Sequence, residues 1–493
     1  MRIWPKRVRP QQRRDPAACV TAPWRWALAA LAGAAVPASA QDAAPRLNVL
    51  LIVVDDVGWT DLHCYGGAHH RTFELDRLSA QGMRFNYAYA GAAVCSPTRA
   101  ALLTGRHPAR LGVTDWIDGE SASFRTAATS GQQPTAFDSA EHHILDTPTN
   151  KAWLDLEEET LAELLRARGY VTGHVGKWHL GPIGLAGPAE QGFAHNAGGC
   201  RMGQPPSYFD PFANERFPDG IPTLPPREEG QYLVDREVDE AIAFLTAHRD
   251  EPWFLHWSSY SAHAPLQAPN ALIASYRGKM KRKPAIYAAM IEALDRGVGQ
   301  LLAALQRLEL ADRTLVIFVS DNGGAHFPRS RARLRGGKGE PYEGGLRVPM
   351  IVRWPGVVAP SSVCDAAVTS ADLLPTVCAA TGTPLPEDRA LDGLSLLPLL
   401  RGEKALDRDV LTWHFPHYWG ADRVRPFSVI RSGTEKLVRH WEDGRVELFD
   451  LARDPREEND LAGSDVERAE ALDALLLAEL DRLGARRPRP RGE

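Results

Sequence analysis

The sequence predicts an α/β sandwich: a large, mostly parallel central sheet flanked by helices, followed by a smaller antiparallel sheet with a packed helix. Three observations lead there. Apolar runs rich in β-branched residues recur through the first four hundred residues; amphipathic helical patterns alternate with them; and beyond about residue 400 the texture changes to short strands joined by tight turns.

In chain order, Leu47 to Val54 is a continuous apolar run, the pattern of a strand buried on both faces. Leu161, Leu164 and Leu165 make one helical stripe, stopped by Gly169. Trp253 to Trp257 reads as a strand. Ile291, Leu294, Val298, Leu301, Leu305 and Leu308 mark a long helix, and Thr314–Val319 and Val348–Val352 are two further buried strands. Strands alternating with helices imply parallel pairing. Residues 118–150 and 181–230 show no period and are expected to be irregular; loops this long in a compact domain are often functional. Phe427–Arg431, Lys436–His440 and Arg445–Leu451 read as strands turning at Ser432-Gly433 and Asp443-Gly444, with a helix from about Asp465 to Leu483. The basic tail from Gly484 is expected to fray.

The composition, 44% hydrophobic and 24% charged over 493 residues, is ordinary for a globular chain with a sizeable core. The N-terminus looks like a signal peptide spanning 1–40. A basic stretch precedes the apolar run Trp26–Val36, and Ala38-Ser39-Ala40 has the small-x-small pattern of a cleavage site. An N-terminal anchor is the alternative; the shortness of the run favours cleavage near Ala40 and a periplasmic or secreted protein without stable membrane insertion. The expected organisation is 1–40 signal, 41–405 catalytic α/β domain and 406–493 C-terminal α+β subdomain. Segment 1–40 carries seven Lys/Arg and one Asp, so the remainder has 50 basic against 61 acidic residues, a formal −11. Such a chain is a poor nucleic-acid binder, and any anion site must be built locally against the overall field. The six cysteines are scattered: Cys19 leaves with the signal, and Cys364 with Cys378 could pair or be buried as small apolar groups.

Asp55-Asp56 follows the first strand and Asp321-Asn322 follows Thr314–Val319, at the carboxyl ends where open α/β sheets bind ligands. Either pair alone fits a turn or cap. Together they are three carboxylates and an amide oxygen, a hard set suited to calcium, or less well magnesium. In Cys95-Ser96-Pro97-Thr98-Arg99, Pro97 suits a first helical turn and Gly105 a helix end, so Cys95 would sit at an N-terminus that favours anions, with Arg99 one turn on. A thiolate nucleophile is one reading, but its sulfur is a soft neighbour for an oxygen set.

Cys95-Ser96-Pro97-Thr98-Arg99, continued by Leu103-Thr104-Gly105-Arg106, resembles the signature of the type I sulfatases of the alkaline-phosphatase-like superfamily. Six further segments resemble that family's motifs in the same order. They are Asp55-Asp56-Val57-Gly58-Trp59, Gly176-Lys177-Trp178-His179-Leu180-Gly181, Ser261-Ala262-His263-Ala264-Pro265 and Ser320-Asp321-Asn322-Gly323-Gly324. After them come Gly336-Gly337-Lys338-Gly339 with Tyr342-Glu343-Gly344-Gly345, and Glu447-Leu448-Phe449-Asp450-Leu451 with Asp454-Pro455 and Glu458-Asn459. One departure is Glu74-Leu75-Asp76, where the family commonly has proline-asparagine-isoleucine-aspartate.

The resemblance implies an alkaline-phosphatase-like fold and a sulfuric ester hydrolase that uses formylglycine (3-oxoalanine), made from Cys95 by a formylglycine-generating enzyme. Metal ligands would be Asp55, Asp56, residue 95, Asp321 and Asn322. Hydrated, the aldehyde is a geminal diol, a hard oxygen group. One hydroxyl would attack sulfur to give a sulfo-diol, and loss of the second proton would expel sulfate. Arg99, Lys177 and Lys338 would neutralise developing charge, with His179 the candidate base and His263 or Lys338 serving the leaving oxygen. Asp115, Trp116, His142, His143, His195 and Arg201 are candidates for contacts beyond the sulfate. Thr114-Asp115-Trp116 resembles bacterial carbohydrate sulfatases, so a sulfated saccharide is the expected substrate. The competing readings are a formylglycine-dependent phosphate or phosphonate ester hydrolase of the same superfamily, and a catalytically silent binder of sulfated glycans.

Overall fold

The computed structural model describes residues 46–324, 334–403, 406–420 and 423–492. The expected signal segment with Cys19 and Ala40, and Arg329 of the basic loop before Lys338, lie outside the described residues. Strands β1 (Asn48–Val54), β2 (Met83–Tyr89), β3 (Phe137–Asp138), β4 (Leu145–Pro148), β5 (Val171–Gly176), β6 (His195–Ala197), β7 (Trp253–Ser258) and β8 (Thr314–Ser320) come first. They are followed by β9 (Arg347–Arg353), β10 (Ser362–Thr369), β11 (Val410–Phe415), β12 (Phe427–Ser432), β13 (Glu435–His440), β14 (Val446–Asp450) and β15 (Arg489–Pro490).

The large sheet has the order β10-β2-β9-β8-β1-β7-β5-β6 and is parallel except for β9, which runs antiparallel to both neighbours. Every residue of β1, β7, β8 and β9 is buried, as expected for central strands covered on both faces. Alternation along β1 sends Leu50, Ile52 and Val54 into one core and Val49, Leu51 and Val53 into the other. The helices Leu233–Ala247 and Arg282–Arg307 close the first core; Cys95–Thr104, Leu161–Ala167 and Leu373–Thr381 close the second.

Parallel register brings the working ends of the strands together. Val54 lies opposite Ser320, Val53 opposite Ser258, and Gly176 opposite Ser258. The residues just past those ends, Asp55, Asp321, Lys177 and Ser259, therefore emerge in a row on one edge of the sheet.

The C-terminal sheet is β11-β12-β13-β14, antiparallel throughout. Helix Val466–Arg482 packs on it through Leu472, Leu476 and Leu480 against Ile430, Leu437 and Leu448. The opposite face shares a core with Tyr89, Val94 and Leu346.

Two expectations need correction, and strand β11 is an addition to them. Strand β11 was not anticipated, because its alternation is interrupted by His414 and its partner β12 follows a long connection. Residues 118–150 are not irregular: Ser121 caps a helix over Ala122–Ser130, and β3 pairs with β4. The tail does not fray, since Arg489 and Pro490 pair with Asp146 and Leu145, adding β15 to that small sheet. Of the two readings left open for Cys364 and Cys378, burial as small apolar groups holds: both are free, buried thiols. Segment 181–230 is largely irregular as expected, apart from β6 and an isolated bridge between Phe209 and Tyr232.

Candidate active site

The helix Cys95–Thr104 is buried along its whole length and ends at Gly105, φ 69°. Thr98 staples its start: the hydroxyl accepts from Ala92 N–H at 3.0 Å and lies 3.2 Å from Ala92 O. Cys95 is thereby fixed at the helix N-terminus, with its Sγ 3.7 Å from Asp55 Oδ1 and 3.3 Å from Lys338 Nζ. Burial pushes the thiol up to about 12, against the lowering effect of Lys177 and Lys338. A cysteine here is a neutral thiol at ordinary pH, which counts against the simple thiolate reading.

One turn on, Arg99 spans the strand ends. Its Nε donates to Asp321 Oδ2 at 2.9 Å and Nη2 stands 2.8 Å from the same oxygen. Nη1 donates to Lys177 O at 3.0 Å and Ser258 Oγ at 2.5 Å. Lys177 Nζ lies 2.7 Å from Asp55 Oδ2, both fully buried. Lys338 Nζ lies 2.6 Å from Asp56 Oδ1, and His263 Nε2 is 3.6 Å from Asp56 Oδ2.

These groups perturb one another. Burial raises Asp55 to about 7; Lys177 and Arg99 oppose this, while Asp321 and Asp56 add to it. Burial also penalises the Asp56 carboxylate, yet Lys338, His263 and the Asn322 amide hold it well below the usual range. Lys338 is desolvated, but Asp56 and the other acids keep it firmly protonated. Burial, helped by Lys338, pushes His263 down to about 3. Burial and the cations Lys177 and Arg99 keep His179 neutral.

The site fits a hard divalent cation. Single ligand atoms of Asp55, Asp56, Cys95 and His263 lie within 4.8 Å of one another. Asn322 Nδ2 donates to Asp56 Oδ1 at 2.8 Å and to Gly323 O at 2.9 Å, while its Oδ1 is buried with no partner. An orphaned amide oxygen among carboxylates is costly unless a cation uses it. Asp56 and His179 both take left-handed backbone, φ 60°, which costs roughly 1–2 kcal/mol in non-glycine residues and recurs at functional positions. Gly203 packs against His179: a Cβ there would meet the ring at 2.6 Å.

A cavity of about 340 Å³ opens onto this floor, lined by Cys95, His179, His263 and Lys338 and walled by Trp116 and Arg201. Asp115 instead lines an adjoining cavity. His195 stands elsewhere: it begins β6 opposite Gly173, below the working end of the sheet, and packs on Phe244 and His248. His143 stacks on Tyr418, 3.6 Å between ring centroids, with His142 against it, and neither lines the Cys95 cavity. Sequence reasoning missed Ser258, which orients Arg99, and Arg216, Phe217 and Trp419, which wall the cavity. Ser258 ends a buried strand and Trp419 lies in the C-terminal unit, so neither carries a local signal.

Comparison with known proteins agrees with this geometry. The sulfatase family profile matches residues 47–383, and a profile for the C-terminal region of N-sulphoglucosamine sulphohydrolase matches 338–485. The chain is 34% identical to human arylsulfatase A, with 88% of each chain covered. It is 32% identical to human N-acetylgalactosamine-6-sulfatase, covering 86% of this chain and 83% of the relative. Among solved structures, Ps i-CgsB in complex with k-i-k-neocarrahexaose superposes with a TM-score of 0.72 at 27% identity, covering 89% of this chain and 92% of that one.

Proposed function

The chain belongs to the sulfatase family, and from that premise we propose that it hydrolyses the sulfate ester of a saccharide in the Cys95 cavity. The observation that carries this reading is the convergence of Arg99, Lys177 and Lys338 on a buried residue 95 beside Asp55, Asp56, Asp321 and Asn322. That is an anion site with its own hard-oxygen metal cluster, inside a chain whose overall charge is acidic.

In this reading Asp55, Asp56, Asp321 and Asn322 hold calcium, whose tolerant oxygen geometry suits a mixed carboxylate and amide set better than magnesium. Bound there, such an ion would supply Lewis-acid polarisation of a sulfate oxygen and would lower the pKa of an adjacent hydroxyl. Cys95 would be the residue that a formylglycine-generating enzyme oxidises, and its hydrated aldehyde would supply one hydroxyl to attack sulfur, displacing the sugar alcohol, and a second whose loss of a proton lets the C–O bond to sulfate break and the aldehyde return. Arg99 braces the floor through Asp321, while Lys177 and Lys338 neutralise oxygens as charge develops. His179 donates from Nε2 to Ile117 O at 3.0 Å, which leaves Nδ1, buried and unpartnered, as the base. Lys338, held protonated, has a proton to give the leaving oxygen. His263 donates from Nδ1 to Ala264 O at 3.1 Å and presents a bare Nε2 to the metal cluster. We therefore assign the leaving group to Lys338 rather than His263.

A saccharide suits the walls, where Trp116 and Phe217 offer ring faces and Arg201 offers donors. The named activity of the human relative and the oligosaccharide bound by Ps i-CgsB point the same way. The pattern of residues 1–40 supports export to the periplasm or medium, with 41–405 as catalytic domain and 406–493 as subdomain. Among the described residues no helix is long and apolar enough to cross a membrane.

The test is hydrolysis of a phenol's sulfate and phosphate esters in parallel, followed by a panel of sulfated monosaccharides and oligosaccharides. Sulfate release exceeding phosphate release by more than about tenfold in kcat/KM, and lost on chelation, is expected. A preference for the phosphate ester would overturn the reading.

A further inference from the structure

The Cys95 cavity adjoins a second one of about 530 Å³, and the two share Trp116, Ile117, Asp118 and Trp419 in their linings. Both volumes lie within the range of roughly 300–1,000 Å³ typical of small-molecule sites. The wall between them is rigidly held. Asn150 Oδ1 accepts from the N–H groups of Thr114 at 2.9 Å and Asp115 at 3.2 Å, and its Nδ2 donates to Asp115 O at 2.9 Å. Thr114 Oγ1 is 2.8 Å from His417 Nε2, which ties the loop to the C-terminal unit. Trp419 packs over Gly339, where a Cβ would meet its ring at 2.5 Å, one residue beyond Lys338.

The two cavities differ in charge. The first carries Arg201, Arg216 and Lys338 on its lining, with Glu120 set against the two arginines, and it shares Asp118 with the second. The second presents the carboxylates of Asp115 and Asp118, and among the described residues no cation pairs with either. Lys151, its nearby base, is paired with Asp155. Asp115 accepts from Trp116 N–H at 2.7 Å. Burial, with Asp118 adding, pushes this carboxyl up to about 7, although the Trp116 bond opposes it. Trp419 supplies ring surface beside these acids, and Tyr418, one face of which is covered by His143, lines the same cavity. Aromatic surface next to acceptor oxygens is the chemistry of an uncharged, hydroxyl-rich ring, and it is hostile to a second sulfate.

We propose that this second cavity is a subsite for the sugar next to the sulfated one, and that this neighbour is unsulfated. The substrate is then an oligosaccharide whose sulfated unit enters the Cys95 cavity while a neutral unit packs against Trp419 and hydrogen-bonds to Asp115. The inference rests on the saccharide reading above and deepens it to a substrate class.

Binding tests it without turnover. The full chain carrying Cys95→Ala is titrated calorimetrically with uncharged di- to tetrasaccharides of glucose, galactose and N-acetylhexosamines, and with singly sulfated counterparts of any that bind. Uncharged oligosaccharides are expected to bind in the millimolar range or tighter. Asp115→Ala and Trp419→Ala should each weaken that binding by about fivefold or more. Sulfation confined to the neighbouring ring should weaken it further, and Asp115→Asn should reduce that penalty. Binding by no member of the panel, or binding indifferent to both alanine substitutions, overturns the subsite. If sulfated monosaccharides are still hydrolysed, only the subsite falls. If no sulfate ester is hydrolysed yet neutral oligosaccharides bind as described, the hydrolase reading falls and the subsite stands.

Discussion

At the scale of single residues, Arg99 bears the most weight. Its planar fork reaches Asp321, Ser258 and the Lys177 carbonyl at once, which a lysine cannot do. Arg99→Lys should lower kcat by about 10²–10³-fold with little change in KM, measured with whichever ester the wild type hydrolyses. An unchanged kcat would mean that Arg99 is only structural. The positions gathered around Cys95 were legible because hard ligands and cations fall just past strand ends, and motif spacing preserves both. His195 was misread because a histidine near an irregular loop carries no information about which end of the sheet it occupies. The walls Arg216, Phe217 and Trp419 were invisible for a related reason: they reach the cavity by tertiary packing, not by any local pattern.

At the scale of elements, the turn after β8 matters most. Gly323 N–H donates to Gly345 O at 2.9 Å, and a Cβ on Gly323 would lie 2.0 Å from Gly344 O. This contact binds the Asn322 turn to the segment that follows Lys338. Gly323→Ala should therefore separate the two, lowering activity by about tenfold or more while far-UV circular dichroism stays native. Wild-type activity in that variant would show that the contact is not needed. The central strands were readable because burial on both faces writes continuous apolar runs. Ala122–Ser130, β11 and β15 were not: the first is a short helix of small residues capped by Ser121, and the others are formed by partners distant in sequence.

At the scale of the molecule, the C-terminal unit holds the Lys338 segment in place. Lys436 is buried between Glu343 at 3.1 Å and Glu457 at 2.7 Å. Tyr342 donates to Glu447 at 2.7 Å, and Arg335 to Glu457 O at 2.8 Å. Lys436→Met leaves Glu457 without its cation and Glu343 with only the more distant Arg347 at 3.7 Å, and should cost about 3 kcal/mol in denaturant unfolding. A loss below about 1 kcal/mol would show that water reaches the cluster. A second global prediction concerns acid. His417, pushed down to about 3 by burial, stays neutral when folded but protonates near 6.5 when unfolded. The unfolded state therefore binds more protons below pH 6.5, and stability falls as pH falls. Relative to His417→Gln, the wild type should lose stability as pH falls through about 6.5, reaching about 1.4 kcal/mol per pH unit below about pH 5.5 and levelling off near 3, read from urea midpoints. A difference that is flat with pH would contradict this. The sandwich and its antiparallel appendix were legible from the change of texture near residue 400. That the appendix clamps the Lys338 segment was not, because ion pairs between distant segments leave no pattern in either one.

The central claim, that residue 95 works as an oxidised side chain beside a divalent ion, is tested most directly by the mass of the tryptic peptide Phe85–Arg99 from catalytically active protein. The expected mass is that of an aldehyde in place of the sulfhydryl, in proportion to specific activity across preparations. Full activity from protein whose peptide carries only an intact cysteine would contradict it.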